Sequence, residues 1–206
     1  DLSLKPGLSY RSAVYDDIIY SDTATKAGIF NARGEIITKR ASLRGEYKAF
    51  DDKLRLVAAA ATNTFNFPDK TYMAYEFAAT YKINKKHLLR AVYSSSPRAA
   101  TIYDTYVDQQ VSNTQIGFQK YMMLAMEGNK NLSLVTADMV EMGYRGTITP
   151  ELYIDVEAFD IRSKNYNSLA YNATYIKMNG NDTMLVTPLT PTNLPVTLHQ
   201  RGITVS

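Results

Sequence analysis

The sequence predicts an all-β chain: an antiparallel up-and-down meander of about eight strands that forms part of a larger transmembrane β-barrel. Three observations carry this reading. First, polar and apolar residues alternate with the period of a strand, most clearly over residues 37–49. There Thr38, Arg40, Ser42, Arg44, Glu46 and Lys48 interleave with Ala41, Leu43, Gly45, Tyr47 and Ala49. Second, connections between such segments fall into two length classes that strictly alternate. Third, the longest uninterrupted apolar runs, Leu56–Ala61 and Tyr121–Met126, have six residues each. A membrane helix needs about 20, whereas a barrel strand needs only about 9–11, with alternate residues facing lipid.

The first strand is expected over residues 2–15, with Leu2, Leu4, Leu8, Tyr10 and Val14 on one face, Ser9 and Arg11 on the other, and Pro6-Gly7 interrupting. A polar gap from Asp16 to about Glu35 leads into the second strand at 37–49, which ends at the polar turn Phe50-Asp51-Asp52-Lys53. An Ala-rich third strand at 54–64 is followed by Asn66-Phe67-Pro68-Asp69-Lys70. The fourth, at 71–82, puts Met73, Tyr75, Phe77, Ala79 and Tyr81 opposite Glu76, Thr80 and Lys82. Asn84-Lys85-Lys86 turns into the fifth at 87–95, with Leu89, Ala91 and Tyr93 opposite Arg90 and Ser94. A gap of nearly forty residues precedes the sixth strand at 134–147, with Val140, Met142 and Tyr144 opposite Glu141 and Arg145. Thr149-Pro150-Glu151 leads to the seventh at 152–162, with Ile154, Val156 and Ala158 opposite Asp155 and Glu157. After another long gap, an eighth strand begins near residue 196.

The connections therefore run long, tight, short, tight, long, tight, long. In a meander alternate connections share a side, so every tight turn lies at one end and every longer loop at the other. Outer-membrane barrels have this asymmetry. The chain starts within one strand pattern and stops within another, so residues 1–206 are expected to be a single segment of a larger barrel; closed alone, it would leave open edges that lipid does not tolerate.

Composition narrows the function. There are 23 basic and 20 acidic residues, a balance that offers no case for nucleic acid. The absence of Cys excludes disulfides and thiolate chemistry. Sixteen Tyr suit membrane interfaces, where the ring is apolar and the hydroxyl reaches water, but they suit ordinary strands as well. Asp1-Leu2-Ser3-Leu4 has neither the basic start nor the apolar core of a signal peptide. The two histidines, His87 and His199, are far apart and outside any zinc motif. Ser94-Ser95-Ser96 lacks the setting of a hydrolase elbow, and Gly128-Asn129-Lys130 lacks that of a phosphate loop. Asp155 and Glu157 share a strand face, but pairing with Arg145 or Arg162 accounts for them better than catalysis does. No catalytic residue, metal site or cofactor is expected.

Charge facing lipid near the midplane costs about 2–4 kcal/mol per basic residue. The polar faces should therefore line the lumen, making Arg40, Arg44, Glu46, Glu76, Arg90, Glu141, Arg145, Asp155 and Glu157 its wall. Ligand contact is expected in the outer loops, since loops on a rigid scaffold carry function. The candidates are Arg98, Tyr103, Tyr106, Phe118 and Tyr121, in the loop that also carries Met122 and Met123. Aromatic and Met side chains there suit a bulky, partly apolar ligand. The competing reading is that Phe118–Met126 extends a strand or packs as a small loop core.

Three stretches carry a family resemblance: Ser96-Pro97-Arg98-Ala99-Ala100-Thr101-Ile102-Tyr103-Asp104, Gly128-Asn129-Lys130-Asn131-Leu132-Ser133-Leu134, and Glu141-Met142-Gly143-Tyr144-Arg145. In order and spacing, across residues 71–165, they resemble the late-barrel region of TonB-dependent outer-membrane receptors. That family usually has an Arg-Ala-Pro-like stretch, an apolar-Tyr-acidic piece, a Gly-Asn-Pro-x-Leu-like stretch and a strand with Glu-x-Gly-Tyr/Leu-Arg. Ala100 and Lys130 stand where Pro is usual, and Ser133-Leu134-Val135 replaces a common Lys-Pro-Glu. The resemblance implies a location in the outer membrane of a Gram-negative bacterium, in contact with membrane lipid and lipopolysaccharide. It also implies an N-terminal plug domain outside this segment, energy from the TonB complex acting on that plug, and uptake of a scarce small-molecule or glycan ligand such as a ferric siderophore or vitamin. The other classes left open are a barrel with a structural or adhesive role and a soluble antiparallel β-protein that binds carbohydrate.

Overall fold

The computed structural model describes residues 1–20, 28–99 and 101–206. Its strands are β1 (Leu2–Asp16), β2 (Arg33–Ala49), β3 (Leu54–Phe65), β4 (Lys70–Lys82), β5 (His87–Arg98), β6 (Asp108–Gly117), β7 (Lys120–Glu127), β8 (Val135–Thr147), β9 (Tyr153–Lys164), β10 (Asn167–Tyr171), β11 (Tyr175–Asn179), β12 (Asp182–Asn193) and β13 (Leu198–Val205), with one short helix, α1 (Ile102–Tyr106). Eight of the strands form one sheet in the order β1-β2-β3-β4-β5-β8-β9-β13. All its neighbours are antiparallel. This is the expected meander, with the expected turns at residues 50–53, 83–86 and 148–152 on one end and the longer connections on the other. The first of these turns places Phe50, Asp51 and Asp52 at φ of 54, 55 and 62°, in the left-handed region that Asp tolerates better than Phe.

The two longest connections are not plain loops. They build a second, five-stranded sheet, β10-β12-β7-β6, with β11 also paired to β12. Residues 99–134 supply the β6–β7 hairpin and residues 165–197 supply the rest; β12 runs parallel to β7, with Val186 opposite Met123. Met123, Ala125, Met184 and Val186 form its buried core, and Tyr121 packs against it. The expected strand ends also move: β2 begins at Arg33 because the far end of β1, Ala13–Asp16, pairs with it, and β5 continues to Arg98 against Val135 of β8.

The large sheet has two chemically distinct faces. Through the register, one row runs Gly45, Ala58, Phe77, Tyr93, Val140 and the next runs Tyr47, Leu56, Ala79, Ala91, Met142, Ala158, Ile203. On this face Leu43 is 52%, Phe77 54% and Ile203 75% exposed. A contiguous apolar surface of this extent, left open by the fold, marks an interaction surface. The opposite face is more enclosed, with Val57, Ala61, Asn63 and Phe65 of β3 buried.

The apolar band runs obliquely across the strands. On β2 it reaches up to Ala41, which is level with Thr62 and Met73. On β5 it stops at Tyr93, level with Gly45; on β9 it stops at Ala158, level with Tyr47, and the charged Asp160 and Arg201 lie above it. The boundary thus drops by the six residues from Ala41 to Tyr47 over the five strand spacings from β2 to β9. At about 3.3 Å per residue and about 4.8 Å between strands, that is a slope of roughly 40°. Strands of membrane barrels tilt by about 35–45°, so a flat hydrocarbon layer would cut this sheet along the observed boundary.

Candidate functional site

The register places Arg40, Arg44, Glu46, Glu76, Arg90, Glu141, Arg145, Asp155 and Glu157 on the face opposite the apolar band. Most are knitted together near the tight turns. Arg55 grips Glu46 through two bonds of 2.9 Å. Arg90 lies between Glu141 at 2.7 Å and Glu157 at 2.6 Å. In register, Gly143 separates Arg90 from Glu157, and having no side chain it leaves the guanidinium free to cross the strand. Arg145 pairs with Asp155 at 2.7 Å, and Tyr153 donates to the same carboxylate oxygen. Arg162, expected as an alternative partner for Asp155 or Glu157, sits instead on the apolar side beside Asp160, since it is level with Asp138 and His199.

Beyond the sheet's long-loop end, a layer built from the two long connections is fastened to the rim. Thr101 caps α1 and forms a reciprocal capping box with Asp104. Gly128 follows β7 and lies against the α1 backbone; a Cβ on it would meet the Thr105 carbonyl oxygen at 2.4 Å. The Asn129 backbone N–H donates to Asp104, and its side chain donates to the Pro191 carbonyl. Lys130 Nζ lies 5.1 Å from the ring centres of both Phe67 and Tyr106, and the Tyr106 hydroxyl donates to the Glu35 carbonyl on β2. Leu132 and Leu134 are buried. Asn193 of β12 donates to the Ser133 and Asn165 carbonyls and accepts from the Ser133 N–H. Each cation–π contact is worth about 0.5–1 kcal/mol at an exposed site. Lys130→Met, which keeps the stem and loses the charge, should therefore speed hydrogen exchange at α1 and leave the strands of the large sheet unchanged.

A family profile described as "TonB dependent receptor-like, beta-barrel" matches residues 1–205. The chain belongs to this family. Its members are outer-membrane proteins of Gram-negative bacteria and are transport receptors. Among solved structures, the receptor segment resembles the siderophore receptor PirA from Acinetobacter baumannii at TM-score 0.72 and 13% identity, covering 99% of this chain and 31% of that one. It resembles the Q482A mutant of the ferric enterobactin receptor PfeA from Pseudomonas aeruginosa, solved with enterobactin, at TM-score 0.76 and 12% identity, covering 100% and 30%. The hemophore receptor HasR from Serratia marcescens, solved with its hemophore HasA and heme, matches at TM-score 0.64 and 12% identity, covering 98% and 38%. At these identities the likeness shows the fold, and the segment spans about a third of each neighbour's length. No curated protein sequence matches the chain.

The stretches that carry the family resemblance hold the loop layer to the rim and pair charges on the charged face of the large sheet. Ala100, in the first of them, lies outside the described residues. The five loop residues expected to meet ligand are dispersed. Arg98 donates to Asn167 at the foot of β10. Tyr103 donates to the Met126 sulfur. Tyr106 is clasped between Phe67, Lys130 and β2. Tyr121 packs on the small core, and Met123, also in that loop, is fully buried within it. Phe118 stands 86% exposed at the tip of the β6–β7 hairpin. Among the residues of the charged face that escaped the sequence reading as wall members are Arg55 of β3 and, on β1, Lys5 and Arg11, which are level with Arg44 and Thr38. On β1 the signal was the odd positions Ser3, Lys5, Gly7, Ser9 and Arg11, all without an apolar side chain; the Pro6-Gly7 interruption obscured it.

Proposed function

We propose that this chain forms part of the wall of an outer-membrane receptor that imports a scarce nutrient, a ferric siderophore, vitamin or glycan, with energy from the TonB complex acting through a plug domain. The observation that carries this reading is the oblique apolar band opposite a charged face, in a chain of this family. The band faces lipid and the outer leaflet's lipopolysaccharide. The charged face lines the lumen and contacts the plug. Ligand contact from this segment falls to the outer ends of the two long connections, where Phe118 and Tyr171 are the most exposed aromatic side chains and Tyr103 is half-exposed. Arg98, Tyr106 and Tyr121 act as supports.

The experiment is to express the full-length receptor in a Gram-negative host and follow uptake of radiolabelled ferric enterobactin, haem, cobalamin and maltodextrin with TonB present and deleted. Uptake of one of these that disappears with TonB supports the reading. TonB-independent uptake, no uptake of any probe, or recovery of the receptor as a folded monomer in detergent-free soluble fractions overturns it.

A further inference from the structure

The apolar face of the large sheet is not flat. Ala79 of β4 and Ala91 of β5 lie directly opposite each other, level with Leu56 on β3, Met142 on β8 and Ala158 on β9. Larger side chains stand on both sides of this row. Phe77 and Tyr93 are one step nearer the long connections on the same face, and Tyr81 and Leu89 are one step nearer the tight turns. The two alanines are therefore the floor of a trough between two ridges. Two recesses, of about 590 and 490 Å³, share Ala79, Ala91 and Met142. The first reaches back to Ala58 on β3, the second forward to Ala158 on β9. All five strands lie inside the sheet, paired on both sides.

Dimensions and charge decide the occupant. From β3 to β9 the trough crosses four strand spacings, about 19 Å at about 4.8 Å each. A row at right angles to strands that tilt by about 40° climbs at that angle to the membrane plane, so this one rises by about 12 Å. Half of a hydrocarbon core about 30 Å thick is about 15 Å. The trough thus has nearly the depth of one leaflet. It rises towards β9, where the apolar band ends at Ala158. Above that end stand Arg201, Arg162 and Lys164, with Asp160 and Asp138 among them. Arg201 holds Asp160 at 2.6 Å, Arg162 reaches the same carboxylate at 3.5 Å through Nε, and Lys164 meets Asp138 at 3.3 Å. Three cations share two carboxylates, so the rim above the trough carries net positive charge. A guanidinium fork suits a phosphate. In hydrocarbon an acyl chain gains nothing by leaving lipid for an equally apolar wall. What holds it is close van der Waals contact, which small side chains permit.

We infer that this trough is a site for an acyl chain of lipid A, the phosphorylated lipid of the outer leaflet, with a phosphate at Arg162 and the chain running down over Ala91 and Ala79. The inference rests on the reading that the band faces lipid and the long connections face outwards. The test adds lipid A to the purified, delipidated full-length receptor in detergent and follows retention by native mass spectrometry. The wild type should retain lipid A. A79L/A91L, which fills the floor yet leaves the face apolar, should bind it about tenfold more weakly. A60L, which enlarges an alanine of the same face outside the trough, should bind as the wild type does. R162Q should weaken binding of lipid A several-fold and leave binding of dephosphorylated lipid A unchanged. No retention by the wild type overturns the inference, as does equal retention by A79L/A91L. Equal displacement by phosphatidylglycerol overturns the assignment to lipid A. A wild-type dimer that A79L/A91L converts to monomers also overturns it, and identifies the trough as a contact between copies. If A79L/A91L does not fold, the single variants A79V and A91V, each expected at about two- to threefold weaker binding, decide the matter in its place. A receptor that assembles in the outer membrane but retains lipid A equally in every variant loses the trough site alone, whereas one recovered folded from detergent-free soluble fractions overturns the lipid-facing reading itself.

Discussion

Phe77→Arg is expected to keep the full-length receptor from assembling in the outer membrane. Phe77 lies mid-band, level with Gly45, Ala58, Tyr93 and Val140, and its ring is open to the surroundings. On the proposed lipid-facing band a guanidinium would cost about 2–4 kcal/mol at the bilayer midplane. That approaches half the total stability of many folded domains. Leu43→Glu, on the same face, should act in the same direction but more weakly, since acidic substitutions cost less. Arg44→Glu, one residue away on the opposite face, should be tolerated, because that side chain is hydrated already. The measurement is the folded, heat-modifiable fraction of receptor in isolated outer membranes. Equal tolerance at Phe77, Leu43 and Arg44 would sink the facing assigned to the sheet.

The second large effect is expected at Gly128. A Cβ there meets backbone atoms, the Thr105 carbonyl at 2.4–2.5 Å and the Tyr106 nitrogen at 2.6 Å, and backbone cannot swing aside as a side chain can. Overpacking of this kind costs roughly 1–3 kcal/mol. Gly128→Ala should therefore detach α1 from the end of β7, breaking the Gly128 N–H bond to the Val107 carbonyl and the Asn129 N–H bond to Asp104. Limited proteolysis should then cut within residues 99–134 at a rate well above wild type while the large sheet resists. Unchanged cleavage would show that the loop layer is not held at this point.

These two sites differ in how readable they were. Phe77 is plain in the sequence, because the odd positions from Met73 to Tyr81 are all apolar while Glu76, Thr80 and Lys82 fall on even ones, and a strand's two faces follow from parity alone. The same parity puts all nine expected wall residues on one face. The loop layer was readable only in part: a strand or small core at Phe118–Met126 was among the open readings, but its partner strand was not legible, for two physical reasons. Tyr121–Met126 is uniformly apolar, so it carries no period, and only pairing with β12, some sixty residues away, decides which side is buried. β12 itself contains Pro188 and Pro191, residues that cannot donate to a ladder and so argue against a strand. Gly128 was visible as part of a family-like motif, but its reason, an approach to the backbone of α1, exists only in three dimensions. The charge pairs fell between these cases: Arg145 with Asp155 follows from neighbouring strands, whereas Arg90 reaches Glu157 across the whole of β8.

The parallel pairing of β7 with β12 has an evolutionary consequence. Surface loops of exposed proteins are where sequences diverge fastest, and insertions there are usually accepted one loop at a time. Here two stretches far apart in the gene share one small core, with Met123 against Val186 and Ala125 against Pro188. Neither can drift alone without uncovering the other. Variation within this layer should arise as matched changes in both stretches, and chimaeras that exchange only one between related chains should lose the layer that chimaeras exchanging both retain.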